Sequence, residues 1–253
     1  MVRIAIFDSG LGSLSVIKQI QKQIKCDIIY FADSKNFPYG KKSIKEIKKI
    51  TLQTITTIQN LFKPDLIIVG SNTLSLTLTS HSKNIIIVLP PLSEAQKITK
   101  SKSIAILATE SIVKSKLLDS YINLFQINNT KIIKINASPL VELVESGKFY
   151  SDQKYCKVII KKTLDYKLIR NNVDVVTLSS THLPFLLKFL KEIFPHVTFL
   201  DPSILLAKKL KKKYSNDNKR NSLQIFTSGN IKSLKIKLKH IRIKNKIHKL
   251  SIQ

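Results

Sequence analysis

The sequence predicts an α/β protein made of two similar parallel-sheet domains related by pseudo-symmetry, with a site in the cleft between them. Three observations predict it. First, short runs of Ile, Val and Leu alternate along the chain with longer amphipathic segments, the pattern of parallel strands covered by helices. Second, several of these runs leave into small polar clusters, and in α/β proteins ligands sit beyond the carboxyl ends of the strands. Third, two pairs of stretches echo each other in the same order. Arg3-Ile4-Ala5-Ile6-Phe7-Asp8-Ser9 is matched by Ser103-Ile104-Ala105-Ile106-Leu107-Ala108-Thr109. Asp65 to Ser71 is matched by Asp174 to Ser180, with the Ser six residues after the Asp in both. Buried parallel strands resemble one another in general, but here the polar exits match as well as the strands.

The elements follow in order. Residues 2–7 read as a buried strand, Asp8-Ser9-Gly10-Leu11-Gly12 as a tight turn, and a helix starts near Ser13 with Leu14, Ile17, Ile20 and Ile24 on one side. The glycines suit close backbone approach to a ligand, but the third position of a dinucleotide fingerprint is Ser15. Asp27 to Ala32 is a second strand, and Phe37-Pro38-Tyr39-Gly40 is a turn carrying an aromatic hydroxyl. A long helix spans Ser43 to Phe62 and stops before Pro64. The strand at 66–70 opens into Ser71-Asn72-Thr73, and the strand at 85–89 stops at Pro90-Pro91.

The second half opens with a helix near Ser93 and a strand at 103–108; Thr109-Glu110-Ser111 begins the next helix. A strand at 131–136 leads to Ser138-Pro139 and then to Glu145 at a helix end. A helix from about 151 to 171 precedes the strand that exits into Ser179-Ser180-Thr181-His182. Pro184 opens a helix ending near Phe194, a strand follows at 197–200, and residues 203–214 are helical. A polar loop covers 215–222. Leu223 to Phe226 is the last strand expected, before Thr227-Ser228-Gly229 and a basic amphipathic helix. The domain boundaries expected are 1–92 plus 202–253 for the first domain and 93–201 for the second.

At 253 residues and 43% hydrophobic, the chain can build substantial cores. No run approaches the roughly 18 apolar residues of a membrane span, and the start is too short in apolar residues for a signal peptide. A cytoplasmic protein with no membrane partner is expected. Cys26 and Cys156 form neither a metal spacing nor a disulfide framework. His81, His196, His240 and His248 show no ligand spacing, so no metal is expected. The net charge of +27 invites a nucleic-acid reading. The excess is mostly Lys spread along the chain beside many Ile and Asn, residues with A/T-rich codons, so no specific nucleic-acid partner is expected. Non-specific attraction to polyanions is expected, most of all around 208–249.

Six stretches now point the same way: Phe7-Asp8-Ser9-Gly10, Phe37-Pro38-Tyr39-Gly40, Ser71-Asn72-Thr73, Thr109-Glu110 with Lys114-Ser115, Val144-Glu145-Ser146-Gly147-Lys148, and Ser180-Thr181-His182-Leu183-Pro184. With these in this order, over nearly its whole length, the chain resembles the glutamate racemases of the aspartate/glutamate racemase group. The resemblance implies interconversion of L- and D-glutamate without a cofactor, by two cysteines on opposite faces of the α-carbon, with the product feeding peptidoglycan synthesis. It implies that Asp8, Ser9, Tyr39, Gly40, Asn72, Thr73, Thr181 and His182 bind glutamate, and that Asp8, Glu145 and His182 assist the two bases. A homodimer is one possible assembly. The Thr181-His182 pair fits glutamate racemases better than aspartate racemases, which usually place an acid at the second position.

The chain departs from the pattern where it matters most. Both catalytic cysteine positions are serine, Ser71 and Ser180, and the glycine usual before the second is Ser179. A free thiol ionises near pH 8.5, and a serine hydroxyl lies nearer the roughly 15.7 of water. At about 1.36 kcal/mol per unit, the alkoxide costs on the order of 10 kcal/mol more to form. The alkoxide is the stronger base once formed, and a neighbouring Asp8 or His182 could relay the proton. Three expectations follow: a racemase weakened by its serines, an amino-acid-binding or decaying protein that kept the pocket and lost the chemistry, or a different lyase or isomerase on the same fold. Bland readings compete at each residue. Ser71 and Ser180 also suit ordinary N-caps, His182 suits a helix start, Tyr39 a turn aromatic, and Glu145 a solvated helix end. A Ser-His-Asp hydrolase is disfavoured, because Ser180 and His182 stand two apart at one exit and no Gly-x-Ser-x-Gly elbow exists.

Overall fold

Strand formers buried on both faces give parallel sheets, and this is how the chain begins. The computed structural model describes residues 1–78, 82–125, 129–214 and 220–252; His81 and residues 215–219 of the expected polar loop lie outside these. In chain order, β1 (Val2–Asp8), α1 (Ser13–Gln23), β2 (Cys26–Ala32), α2 (Ile44–Phe62), β3 (Leu66–Val69), α3 (Asn72–Ser75) and β4 (Ile85–Ile87) come first. Then come α4 (Leu92–Ile98), β5 (Ser103–Ala108), α5 (Glu110–Val113), α6 (Lys116–Phe125), β6 (Lys131–Asn136), α7 (Ser138–Glu145), α8 (Lys148–Ser151), α9 (Gln153–Arg170), β7 (Val175–Leu178), α10 (Leu187–Ile193) and β8 (Thr198–Leu200). The chain closes with α11 (Pro202–Lys213), β9 (Ser222–Thr227), α12 (Ile231–His240) and β10 (Ile247–Lys249). Short 3-10 turns occupy Ser34–Asn36, Tyr39–Lys41 and Leu183–Leu186.

The chain divides into two units, Met1–Val88 with Ser203–Gln253, and Leu89–Pro202. In the first, an all-parallel sheet runs β10-β9-β2-β1-β3-β4; in the second, β6-β5-β7-β8. The inner order is therefore the same, with β1, β2, β3 and β4 matched by β5, β6, β7 and β8. The register repeats as well. Ile4 pairs with Leu66 and Phe7 with Val69, as Ile104 pairs with Val175 and Leu107 with Leu178. Beyond each ladder one more bond forms: Gly70 N–H to Phe7 O at 3.1 Å, and Ser179 N–H to Leu107 O at 2.9 Å. The echo in sequence is thus a repeat in structure.

Local chemistry sets the element ends. Ser43 and Glu46 form a capping box at the start of α2, and Lys63 closes the helix in the left-handed region (φ 43°) before Pro64. Gly147, at φ 75°, lets the chain turn from α7 into α8. In the first unit Phe7, Phe31, Ile67 and Val69 pack with Ile47 and Ile58 of α2. In the second, Leu107, Val176 and Leu178 pack with Leu143 and Val144 of α7 and Ile160 and Leu164 of α9.

Three expectations need correction. The helix expected over 151–171 starts at Gln153, because Asp152 caps it through Tyr155 N–H at 2.9 Å and closes α8 as a separate turn. Pro184 opens a 3-10 turn, and α10 begins only at Leu187. The strand at Ser222–Thr227 is not the last: β10 pairs with β9 through Ile247 and Ile225, with one buried apolar residue between polar neighbours and so no periodic signal.

Candidate active site

In the first unit the exits of β1, β2 and β3 carry the polar residues. Asp8 ends β1 and is 2% exposed. Its Oδ1 accepts from Ser9 N–H at 2.7 Å and its Oδ2 from the Ser13 hydroxyl at 3.0 Å. Ser13 can stand there only because residue 70 is glycine: a Cβ at 70 would fall 1.8 Å from Ser13 Oγ and 3.2 Å from Phe7 O. A small residue at one strand exit thus fixes the carboxylate at the next.

After Gly70, Ser71 is the N-cap of α3, yet its hydroxyl makes no capping bond. Asn72 and Thr73 open the helix and are buried. Both polar atoms of the Asn72 side chain are shut from solvent without a hydrogen-bond partner among the described residues. An unmet buried amide costs about 1–3 kcal/mol, so a group that satisfied it would bind with that advantage. The Tyr39–Lys41 turn, which contains Gly40, packs on α3. Tyr39 is 3% exposed and donates its hydroxyl to Asp33 Oδ2 at 3.0 Å. Burial, then the charges of Asp33 and Asp8, push its phenol well above the ordinary value, so it is a neutral donor at physiological pH.

Asp33 itself is fully buried and also accepts from Asn36 Nδ2 at 2.8 Å and from the Ser228 hydroxyl at 2.7 Å. Ser228 lies beyond β9, and the Lys249 ammonium on β10 donates to its carbonyl at 2.7 Å. Sequence reasoning missed Asp33, Ser13 and Ser228. The signal for Asp33 was present: it is an acid at a strand exit, as Asp8 is.

In the second unit, β7 leaves into Ser179-Ser180-Thr181-His182, all four buried. Ser179 is bound to Thr177, hydroxyl to hydroxyl, at 2.9 Å. His182 heads the Leu183–Leu186 turn without capping it through its side chain. Instead its Nε2 lies 2.6 Å from Glu145 Oε1, with the two side chains 7% and 8% exposed. Glu145 is the last residue of α7, so the expectation of a solvated helix end does not hold for it. When Glu145 is ionised it only accepts, and Nε2 is then the donor, which leaves the lone pair of a neutral ring on Nδ1. The Nε2 that would face a nucleophile in a Ser-His-Asp arrangement is engaged with the Glu145 carboxylate instead. Glu110 and Lys114 form an exposed ion pair on α5 and its end, at 2.5 Å.

Cys26 and Cys156 are buried, and desolvation pushes each thiol up to about 11, so neither supplies a thiolate at neutral pH. Among the described residues no three His, Cys, Asp or Glu side chains are grouped as metal ligands.

No protein-family model matches the chain. Individual relatives do. A glutamate racemase of Persephonella marina is 31% identical over 253 residues, covering 97% of this chain and 95% of that protein. One from a Sulfurihydrogenibium species is 30% identical over 238 residues, covering 88% and 87%. The fold is shared with the crystal structure of a glutamate racemase isoform from Bacillus anthracis, with a TM-score of 0.86 over 99% of this chain and 98% of that one, at 23% identity. Escherichia coli glutamate racemase, crystallised with L-glutamate and the activator UDP-MurNAc-Ala, gives 0.82 over 100% and 99%, at 24% identity. The aspartate racemase of Picrophilus torridus is more distant in fold, with a TM-score of 0.55 over 84% of the chain. With relatives at this identity across nearly its whole length, the chain belongs to the glutamate racemase family, and the enzyme class that goes with it is the isomerases.

Proposed function

We propose that the protein interconverts L- and D-glutamate without a cofactor, by a two-base proton transfer in which Ser71 and Ser180 stand at the positions of the family's cysteines, and that it does so slowly. The observation that supports this most is the repeat. Ser71 and Ser180 follow matched strands, each next to the residue whose N–H extends the ladder, Gly70 and Ser179. A reaction that takes a proton from one face of a carbon and returns one to the other needs two equivalent groups, and a duplicated scaffold supplies them. Neither hydroxyl is consumed as a helix cap.

In this reading one serine, as the base, removes the α-proton to leave a carbanion delocalised into the carboxylate. The other hydroxyl delivers a proton to the opposite face. Asp8 assists at Ser71, and the Glu145–His182 pair assists at Ser180. Tyr39, Gly40, Ser9, Asn72, Thr73 and Thr181 hold the amino acid, with the Asn72 amide supplying a donor and an acceptor. The alkoxide penalty, on the order of 10 kcal/mol against a thiolate before its greater basicity is counted, is why the turnover is slow. D-Glutamate for peptidoglycan is the product's use.

One observation favours a second reading. The Ser71 hydroxyl makes no capping bond and the Glu145 carboxylate is engaged with His182, whereas the Asn72 amide, which this reading gives to the amino acid, is buried without a partner among the described residues. A protein that binds glutamate without turning it over has this character. The test is exchange at Cα of L- and D-glutamate in D₂O, with aspartate as control. The wild type is compared with the Ser71→Cys/Ser180→Cys double variant. Exchange with inversion in the wild type, lost in Ser71→Ala or Ser180→Ala, supports serine-based racemisation. Exchange only in the double cysteine variant supports the binding reading. Silence in both rejects glutamate as the substrate.

A further inference from the structure

Helix α9 is apolar on two opposite sides. One side, Cys156, Ile160, Leu164 and Leu168, is spaced by four residues and lies in the core of the second unit. On the other side Tyr155, Val158, Tyr166 and Ile169 are 40%, 60%, 67% and 71% exposed. All four stand four or seven residues from Lys162, so they and Lys162 share one ridge along the outer face.

Cations are built into this ridge. The Lys148 ammonium lies 4.5 Å from the centre of the Tyr155 ring, and the Arg170 guanidinium 5.6 Å from that of Tyr166, whose hydroxyl it also meets at 2.6 Å. The two rings are eleven residues apart, roughly 16 Å along the helix axis. Each end of the ridge is therefore an aromatic ring with a cation held against it, and a lysine sits at its middle.

We propose that this face of α9 docks on an anionic lipid bilayer surface, lying in the headgroup region. The composition selects the occupant. The cores of protein–protein interfaces are depleted in lysine, whereas interfacial helices place lysine stems beside apolar residues with their charges at the headgroups. A second copy of the chain would set Lys162 against Lys162 between two bodies of net charge +27. An anionic leaflet complements that charge. Among the described residues no helix is long and apolar enough to cross a membrane; lying on one needs only a shallow apolar ridge with basic flanks. From the sequence no membrane partner is expected, on the ground that no run is long and apolar enough to span; docking on a bilayer surface departs from that expectation.

The test uses the full-length protein with vesicles of phosphatidylcholine, with and without phosphatidylglycerol. The wild type should sediment with the anionic vesicles and not with the neutral ones. V158S/I169S leaves the charge unchanged and alters only exposed side chains, with folding checked by circular dichroism. It should weaken binding by at least about tenfold. The chain has no tryptophan, so V158W is a clean reporter, with L52W on α2, where Leu52 is 60% exposed, as control. Emission should shift to the blue on anionic vesicles for V158W and not for L52W. Equal binding by V158S/I169S, or equal shifts at both tryptophans, would reduce the effect to general polycation adsorption and overturn the proposal. So would the absence of vesicle binding, or a solution dimer that V158S/I169S dissolves.

Discussion

The exits of the two sheets solve the same problem differently. Both units share strand order and register to the residue, yet the position of Asp8 in the first is Ala108 in the second, and that of Gly70 is Ser179. In the first unit the carboxylate grows from the central strand and rests on neutral donors, Ser9 N–H and Ser13 Oγ. In the second it arrives from the end of α7 and meets an imidazole. The strand scaffold repeats; the ionisable groups at its exits do not. Ser71 and Ser180 stand out against this background, because the groups around the two exits differ while the serines themselves follow matched strands.

The largest effect is expected in the second unit. His182→Ala takes the ring from a carboxylate that is 8% exposed. Removing one member of a buried pair costs about 3 kcal/mol or more. Adding Glu145→Gln should return part of that loss, because an amide has no charge to desolvate. Urea unfolding of the four proteins in the cycle measures the coupling. A coupling near zero would mean that the pair is held by its surroundings and not by its partners.

The next effect is in the first unit. Gly70→Ala drives a Cβ into Ser13 and onto the Phe7 carbonyl, and backbone cannot yield as a side chain can. Overpacking of this kind costs about 1–3 kcal/mol. Gly70→Ala/Ser13→Gly should recover stability but leave Asp8 without its hydroxyl donor, so recovered stability with unrecovered glutamate affinity is the expected split. The mirror change, Ser179→Gly, removes only a hydroxyl pair with Thr177 and should cost about 1 kcal/mol.

A third contrast lies at the opposite ends of β3 and β7. Asp65 accepts from Arg3 N–H at 2.7 Å. Asp174 accepts from the Thr99 and Ser101 hydroxyls at 2.6 and 2.8 Å, and from Lys100 and Ser101 N–H at 2.6 and 3.0 Å. Burial alone would raise the Asp174 pKa; the bonds from Thr99, Ser101 and Lys100 outweigh it and hold the pKa below the ordinary value. A lowered folded-state pKa stabilises the protein above the unfolded value, near 3.9, and that contribution disappears as pH falls through the folded value. Asp174→Ala should therefore destabilise by about 1–2 kcal/mol more than Asp65→Ala at neutral pH. The gap between Asp174→Ala and the wild type should narrow below about pH 4. Denaturation midpoints at neutral pH and at acid pH check both statements.

Much of this was legible in the residues. Ile, Val and Leu runs buried on both faces mark the central strands of both sheets, and the polar exits at Ser71 and Ser180 repeat with the strands. What was not legible depends on partners remote in the chain. Glu145 looks like surface until α7 packs beside His182, 37 residues later. Ile247 in β10 means nothing until β9 lies beside it. Ser13 looks like the start of a helix, and only the close approach at Gly70 shows that it also holds Asp8. Periodicity reports one element's faces; it carries no information about which exit a distant side chain will reach.

The smallest effect concerns the thiols. Cys26 and Cys156 are the chain's two cysteines. Cys26 opens β2, where desolvation and then the adjacent Asp27 raise its pKa to about 11; Cys156 faces the core from α9, where desolvation and then Asp152 do the same. At pH 7 each is thiolate about one part in 10⁴, from four pH units at tenfold each. Neither stands at a strand exit, so neither substitutes for the bases proposed at Ser71 and Ser180. Cys26→Ala/Cys156→Ala should leave Cα exchange of glutamate unchanged within error, while disulfide reagents should label the wild type only as fast as it opens. Loss of exchange in that double variant, in a protein that unfolds at the same urea concentration as the wild type, would show that the bases have moved off the two matched exits.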